Sequence, residues 1–336
     1  MQLRESWKNL RTQRPQLRAR DAATELGVTE AELVASGCGE GTVRLSDEPG
    51  SVLERVRTLG PVMALTRNAH CVHERRGTYS GVRVSTAFGL VVGPDIDLRI
   101  DLSLWHRGFA VTEGDKRSLQ FFDASGTAVH KIHLGEESDR HAFEALVRAH
   151  THADQNPREV VSPPPLRTKA RPDADIDVPG LREAWHFLRD THDFQAMLDR
   201  FEVQRLQALR LTGAERAVEV PTSSARRVLE SAAAMALPIM VFVGNPGCLQ
   251  IHTGPVEHIK VLGPWLNVMD RSFNLHLRED ALASAWVVRK PTKDGVVTAL
   301  ELYDADGELV AQLFGKRKPG TPELLAWRVL AEGLAV

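Results

Sequence analysis

The chain has 336 residues, 43% hydrophobic and 26% charged, and its 42 lysines and arginines nearly balance 44 aspartates and glutamates, for a formal net charge of −2. That balance excludes attachment to nucleic acid by bulk charge, and no apolar run reaches the ~18–20 residues that a membrane-spanning helix needs. With no secretory pattern in Met1–Lys8 and three widely spaced cysteines (Cys38, Cys71, Cys248), the expectation is a soluble, cytoplasmic protein with reduced thiols and no membrane insertion.

Leu3, Trp7 and Leu10 share one face of a first predicted helix. A second runs from Ala19 to Leu26 and stops at Gly27; a third starts near Thr29, where Glu32 completes a capping box. Gly37-Cys38-Gly39-Glu40-Gly41 lacks the glycine spacing of a phosphate loop and reads as a flexible turn. Strand patterning follows: Val82 to Val92 is rich in β-branched residues, and Ile96 to Leu102 alternates strictly. Asp123-Ala124-Ser125-Gly126 is a hairpin turn, and a helix from Asp139 to His150 closes the series. Residues 157–179 then hold six of the 18 prolines and read as an extended connector.

Beyond the connector the pattern begins again. Leu3-Arg4-Glu5-Ser6-Trp7 returns as Leu181-Arg182-Glu183-Ala184-Trp185. Pro61-Val62-Met63 with Asn68 and Cys71 returns as Pro238-Ile239-Met240 with Asn245 and Cys248. Asp97-Leu98-Arg99 aligns with Asn274-Leu275-His276, and the hairpin at Asp123 with Asp304-Ala305-Asp306-Gly307; a closing helix runs from Pro322 to Leu334. The offsets, 178, 177 and 181, drift little, so the matches are collinear. The chain therefore reads as an α+β tandem duplication: an N-terminal repeat (1–156), a Pro-rich connector (157–179) and a C-terminal repeat (180–336). Each half is expected to be a large antiparallel sheet with flanking helices, the two sheets packing around a pseudo-two-fold axis.

Several common catalytic motifs are absent: there is no Walker A loop, HExxH, CxxC or GxSxG. Of the 13 histidines, His130, His133, His141, His150 and His152 crowd together. On a strand, positions 130 and 133 point to opposite faces, and no cysteine or carboxylate completes a tetrahedral set, so this group reads as solvated surface rather than a zinc site. His192 differs. Asp190-Thr191-His192-Asp193-Phe194 looks like a helix start, with Asp190 as N-cap and Phe194, Met197, Leu198 and Phe201 as the apolar face. In the first turn the helix dipole disfavours imidazolium, and a neutral imidazole is competent to bind metal. From these residues alone, His192 is either an exposed helix-start residue or an iron ligand.

Arg18-Ala19-Arg20-Asp21-Ala22-Ala23 with Leu26-Gly27-Val28, Thr66-Arg67-Asn68-Ala69-His70-Cys71-Val72-His73-Glu74, Leu119-Gln120-Phe121-Phe122-Asp123, the Asp190–Phe194 segment and Phe314-Gly315-Lys316-Arg317 resemble the cytoplasmic hemin-degrading or haem-trafficking factors (HemS/ChuS type) of Gram-negative bacteria. The resemblance covers nearly the whole chain, duplication included. It implies one haem in a cleft between the halves, with His192 as proximal iron ligand and Arg99 on the distal side. Arg205, Lys290 and Arg317 would lie near the propionates.

These roles make chemical sense: iron takes a neutral imidazole, propionates take charge-assisted hydrogen bonds, and a guanidinium hydrogen-bonds rather than coordinates. On the residues alone, Arg99 is equally a surface salt bridge, and Arg205, Lys290 and Arg317 a solvated basic face. The internal partner of Arg99 is His276, and His192 has no histidine partner near Gln13 to Arg18, so the duplication has diverged where ligand chemistry would lie. His73 and His276 stand as secondary candidates for a transfer ligand. The expected function is haem binding in uptake and iron acquisition, with a haem oxygenase or the cytoplasmic side of a haem importer as partner and no nucleic acid. The alternative is an enzyme that opens the macrocycle itself; with no flavin or nicotinamide motif present, its electrons would come from outside.

Overall fold

A computed structural model of the chain describes residues 2–166, 169–318 and 320–335. The first half opens with helices α1 (Gln2–Gln13), α2 (Ala19–Glu25) and α3 (Glu30–Ala35), strand β1 (Thr42–Arg44) and helix α4 (Pro49–Val56). Strands β2 (Val62–Arg67), β3 (Cys71–Gly77), β4 (Val82–Val84), β5 (Phe88–Val92) and β6 (Asp97–Asp101) follow. The half ends with β7 (Arg107–Glu113), β8 (Lys116–Phe122), β9 (Ala128–Leu134) and α5 (Arg140–Ala149).

The second half repeats this order: α6 (Val178–His186), α7 (Asp193–Arg200), α8 (Arg205–Thr212), β10 (Ala217–Val220) and α9 (Ser224–Ala234). After them come β11 (Ile239–Asn245), β12 (Cys248–Gly254), β13 (Ile259–Leu262), β14 (Trp265–Met269) and β15 (Phe273–Arg278). β16 (Ser284–Thr292), β17 (Gly295–Tyr303), β18 (Leu309–Gly315) and α10 (Leu325–Glu332) complete it. Among the described residues this makes an α+β duplication with ten helices and two nine-stranded antiparallel sheets.

Local chemistry sets the element boundaries. Thr29 accepts from the Glu32 amide while the Glu32 carboxylate takes the Thr29 amide, closing the capping box of α3. Gly126 (φ 79°) and Gly307 (φ 76°) close equivalent hairpin turns, each opened by an aspartate that accepts amides further along the loop. The end of the Pro-rich stretch is helical rather than extended: α6 begins at Val178 with Pro179 in its first turn, capped by Asp177. A first-turn proline gives up no helical hydrogen bond, because that N–H has no intrahelical partner.

The chain divides into two compact units: residues 1–67, 73–166 and 244–250 form the first, and 68–72, 167–243 and 251–336 the second. β3 thus begins in the second unit and ends in the first, and β12 does the reverse. In the first unit the strand orders are β1-β7-β8-β9-β2-β3 and β12-β6-β5-β4; in the second they are β10-β16-β17-β18-β11-β12 and β3-β15-β14-β13. The repeated Asn-x-x-Cys pattern marks the start of these two strands. Asn68 Oδ1 accepts from the His70 and Cys71 amides (3.0 and 2.9 Å), and Asn245 Oδ1 from those of Gly247 and Cys248 (both 3.1 Å). Asn245 Nδ2 also donates to the carbonyls of Arg67 and Val129, which seats the 244–250 segment in the first unit. All three cysteines are free and buried.

Of the histidine group at 130–152, His141 is exposed and His133 and His152 are partly so, but two members are not solvated surface. His130 is 1% exposed and His150 8%. Thr66 Oγ1 lies 2.8 Å from His130 Nδ1, Tyr79 Oη lies 2.6 Å from Nε2, and Trp105 stacks on the ring. The alternation read from sequence was right; the face of β9 carrying His130 is buried, and its polar partners, on neighbouring β2 and in the loop after β3, are far from it in sequence. Burial, with His133 adding to it, pushes His130 down from 6.5 to about 3. Between those values the unfolded chain takes up a proton that the folded chain refuses, so stability is lost as the pH falls through the window, at up to about 1.4 kcal/mol per pH unit. Urea unfolding at stepped pH should show this slope and His130→Phe should flatten it; equal slopes would remove His130 from the account.

Candidate functional site

In the second unit, strand register places Lys290 opposite Val297, Ala299 opposite Phe314, Glu301 opposite Gln312, and Met240 and Phe242 opposite Phe314 and Gln312. Directly opposed residues share a face, so these side chains carpet one side of β16-β17-β18-β11. The other side carries Val287, Leu300, Leu313 and Val241 into the main core. On the first side Val297, Ala299, Phe314, Met240 and Phe242 cluster, with the Phe242 and Phe314 rings 4.8 Å apart. Helices α6 to α8 cover its far end, where Trp185, Phe194 and Tyr303 are buried together.

Glu301 is the electrostatic centre of this face and is fully buried. It accepts five hydrogen bonds: from Arg205 Nη2 (2.6 Å) and Nε (2.8 Å), Lys290 Nζ (2.9 Å), Gln312 Nε2 (2.9 Å) and Tyr303 Oη (2.6 Å). Burial alone would raise its pKa, but Arg205 and Lys290 hold it well below the ordinary carboxylate range. Burial, then Arg205, pushes Lys290 down to about 8 against the pull of Glu301. Two cations share one carboxylate, leaving one positive charge in excess. The same cations cap Phe194 of α7, Lys290 Nζ at 4.2 Å and Arg205 Cζ at 4.9 Å from the ring centre. Phe194 in turn stands edge-on to Trp185, whose indole N–H donates to the Arg289 carbonyl.

His192 lies two residues before Phe194, and its side chain is 85% exposed. It is itself the N-cap of α7, so the helix begins two residues later than the local pattern suggests. Asp190 is not that cap: its Oδ1 accepts from the His192 amide (3.0 Å) and lies 2.6 Å from His192 Nδ1. An ionised carboxylate only accepts, so Nδ1–H donates to it and Nε2 is the ring nitrogen left facing outward. The hydrogen bond to His192 N, then that to its ring, hold the Asp190 pKa below its usual value. The loop is pinned where the Lys293 amide donates to the Arg189 carbonyl (3.0 Å), at the turn between β16 and β17. Beside that turn Arg317 Nη2 lies 3.7 Å from Asp294, and both side chains are largely buried.

The structure thus gathers Arg205 and Lys290 on one carboxylate beneath the helix that follows His192, and ties His192's loop to the turn at which Arg317 sits. Neither Arg205 nor Lys290 is part of a solvated face. Arg99 belongs to the first unit. On β6 it shares the outward face of β4-β5-β6 with Arg83 and Leu90, pairs with Asp97, and lines an open cleft of about 330 Å³ with Phe88. His276 Nδ1 lies 2.6 Å from Asn267 Oδ1 on neighbouring strands, and His73 is fully buried.

Sequence reasoning missed Glu301, Met240, Phe242, Phe314 and Lys293. Strand alternation through Leu300-Glu301-Leu302-Tyr303 could have flagged Glu301, since a carboxylate on a buried strand needs cationic partners.

These residues fit haem. An imidazole with Nδ1 engaged and Nε2 open suits iron, aromatic and thioether side chains suit a porphyrin plane, and the excess positive charge suits propionates.

The haemin-degrading HemS.ChuX domain profile matches the chain twice, at residues 27–150 and 202–334. "Hemin transport protein HmuS" of Yersinia pestis is 40% identical over 318 residues, 92% of this chain and 90% of that protein. The crystal structure of holo-PhuS, described as a heme-binding protein from Pseudomonas aeruginosa, is 50% identical with a TM-score of 0.97, covering 99% of this chain and 98% of that one. ChuS, described as an E. coli heme oxygenase, is 34% identical with a TM-score of 0.89 and covers 99% of both chains.

Proposed function

We propose, on the premise that the chain belongs to the haemin-degrading HemS.ChuX family, that it is a haem-binding protein of haem uptake and iron acquisition. The observation that carries this reading is the His192–Asp190 pair: an exposed imidazole whose Nδ1 is held at 2.6 Å by a carboxylate and whose Nε2 is open. In this reading His192 is the proximal ligand. Arg317 and the excess positive charge of the Arg205–Lys290–Glu301 cluster would hold the propionates, and Met240, Phe242 and Phe314 would offer an apolar face to the macrocycle. Arg99 supplies a distal guanidinium that donates hydrogen bonds and does not coordinate. Bound haem supplies a Lewis-acidic, redox-active iron; the protein holds it, orients it and shields it from water.

The protein works in the cytoplasm and hands haem to a haem oxygenase, having received it from the inner side of an importer. No described helix is long and apolar enough to cross a membrane. Titration with hemin should give a single 1:1 complex with a sharp Soret band, and intact haem should pass to an added oxygenase. A titration with no saturable step would end the proposal. The likeness to a protein described as a heme oxygenase favours a second reading, in which the chain degrades its haem. Incubating the complex with ascorbate and catalase separates the two. Soret loss with a bilin product supports degradation, whereas a stable Soret band supports the carrier.

A further inference from the structure

Asp190 does more than close the turn before α7. Its Oδ1 takes two hydrogen bonds from one residue, from the amide of His192 and from the ring Nδ1. The main-chain bond fixes where the carboxylate sits, and the Arg189–Lys293 backbone bond next to it holds the loop against the β16–β17 turn. Flipping the imidazole would set a ring carbon against the carboxylate and lose a charge-assisted hydrogen bond, so the ring has one favoured orientation, Nε2 outward. A second-layer carboxylate on the far nitrogen of a metal-binding imidazole also raises its basicity.

We propose that Asp190 is the positioning residue of the iron ligand: it selects Nε2 of His192 and lends that nitrogen negative charge. This rests on the haem-binding reading above. A more basic imidazole binds iron more strongly and favours the ferric state, so the effect is readable without any turnover.

The test uses the full-length hemin complexes of wild type, Asp190→Asn, Asp190→Ala and His192→Ala. The iron–histidine stretch of the reduced complex is measured by resonance Raman, together with the haem midpoint potential. Asparagine keeps the shape and an acceptor but loses the charge, so Asp190→Asn should retain 1:1 binding while the stretch moves to lower frequency and the potential rises. Asp190→Ala should also lose roughly tenfold or more in affinity, the usual cost of removing such a partner. Wild-type stretch and potential in both Asp190 variants, with the stretch abolished in His192→Ala, would overturn the role of Asp190 alone. An unchanged stretch in His192→Ala would overturn the ligand assignment and this inference with it.

Discussion

His192→Ala should bind hemin at least roughly 10–100-fold more weakly than the wild type, and its complex should lack the iron–histidine signature. The imidazole is exposed and its side-chain partner is Asp190, so stability should stay within about 0.5 kcal/mol of wild type and the loss cannot be assigned to misfolding. Added imidazole should restore a histidine-like Soret band, because it can occupy the space the side chain leaves. Absorption titration and urea unfolding of the two proteins together make the check. An unaltered Soret band and affinity in His192→Ala would mean that another side chain holds the iron, and the site would have to be rebuilt around it.

Glu301→Leu should destabilise the second unit by about 3–5 kcal/mol, the range expected when one partner of a buried ionic group is removed. The carboxylate is fully buried and answers five donors; without it Arg205 and Lys290 face each other as uncompensated charges beside Phe194. Substituting Arg205→Met and Lys290→Met in the same chain should recover much of the loss, since an apolar replacement removes the stranded charges. Denaturant unfolding followed by tryptophan fluorescence reports this directly, because Trp185 packs against Phe194. A loss below about 1 kcal/mol would show that water reaches the cluster and that its cations are not committed to Glu301. In haem titrations the single variant should also bind more weakly, as α7 carries both Phe194 and the ligand loop.

Short-range chemistry accounts for what was legible in the chain. The α3 capping box, the paired Asp–Gly hairpins and the Asn-x-x-Cys repeat are interactions among residues two to four apart, and each sits where its residues alone require. His192 was legible as a helix-start histidine, but not the carboxylate that holds its ring. Asp190, read as the cap of α7, spends its carboxylate on the residue that is the cap. His130 was misread because a strand's alternation says which residues share a face and not which face is covered.

The sequence by itself determined the duplication and the α+β class, because repeats, periodicity and capping are properties of neighbours along the chain; the expected haem-site residues came from the family resemblance. Only the tertiary structure decided that β3 and β12 begin in one unit and end in the other, that His130 lies among Thr66, Tyr79 and Trp105, and that Arg205 and Lys290 answer to Glu301. Those partners lie 11 to 96 positions apart, and a buried charge is satisfied by whichever group the fold brings within about 3 Å, a distance that no local pattern records.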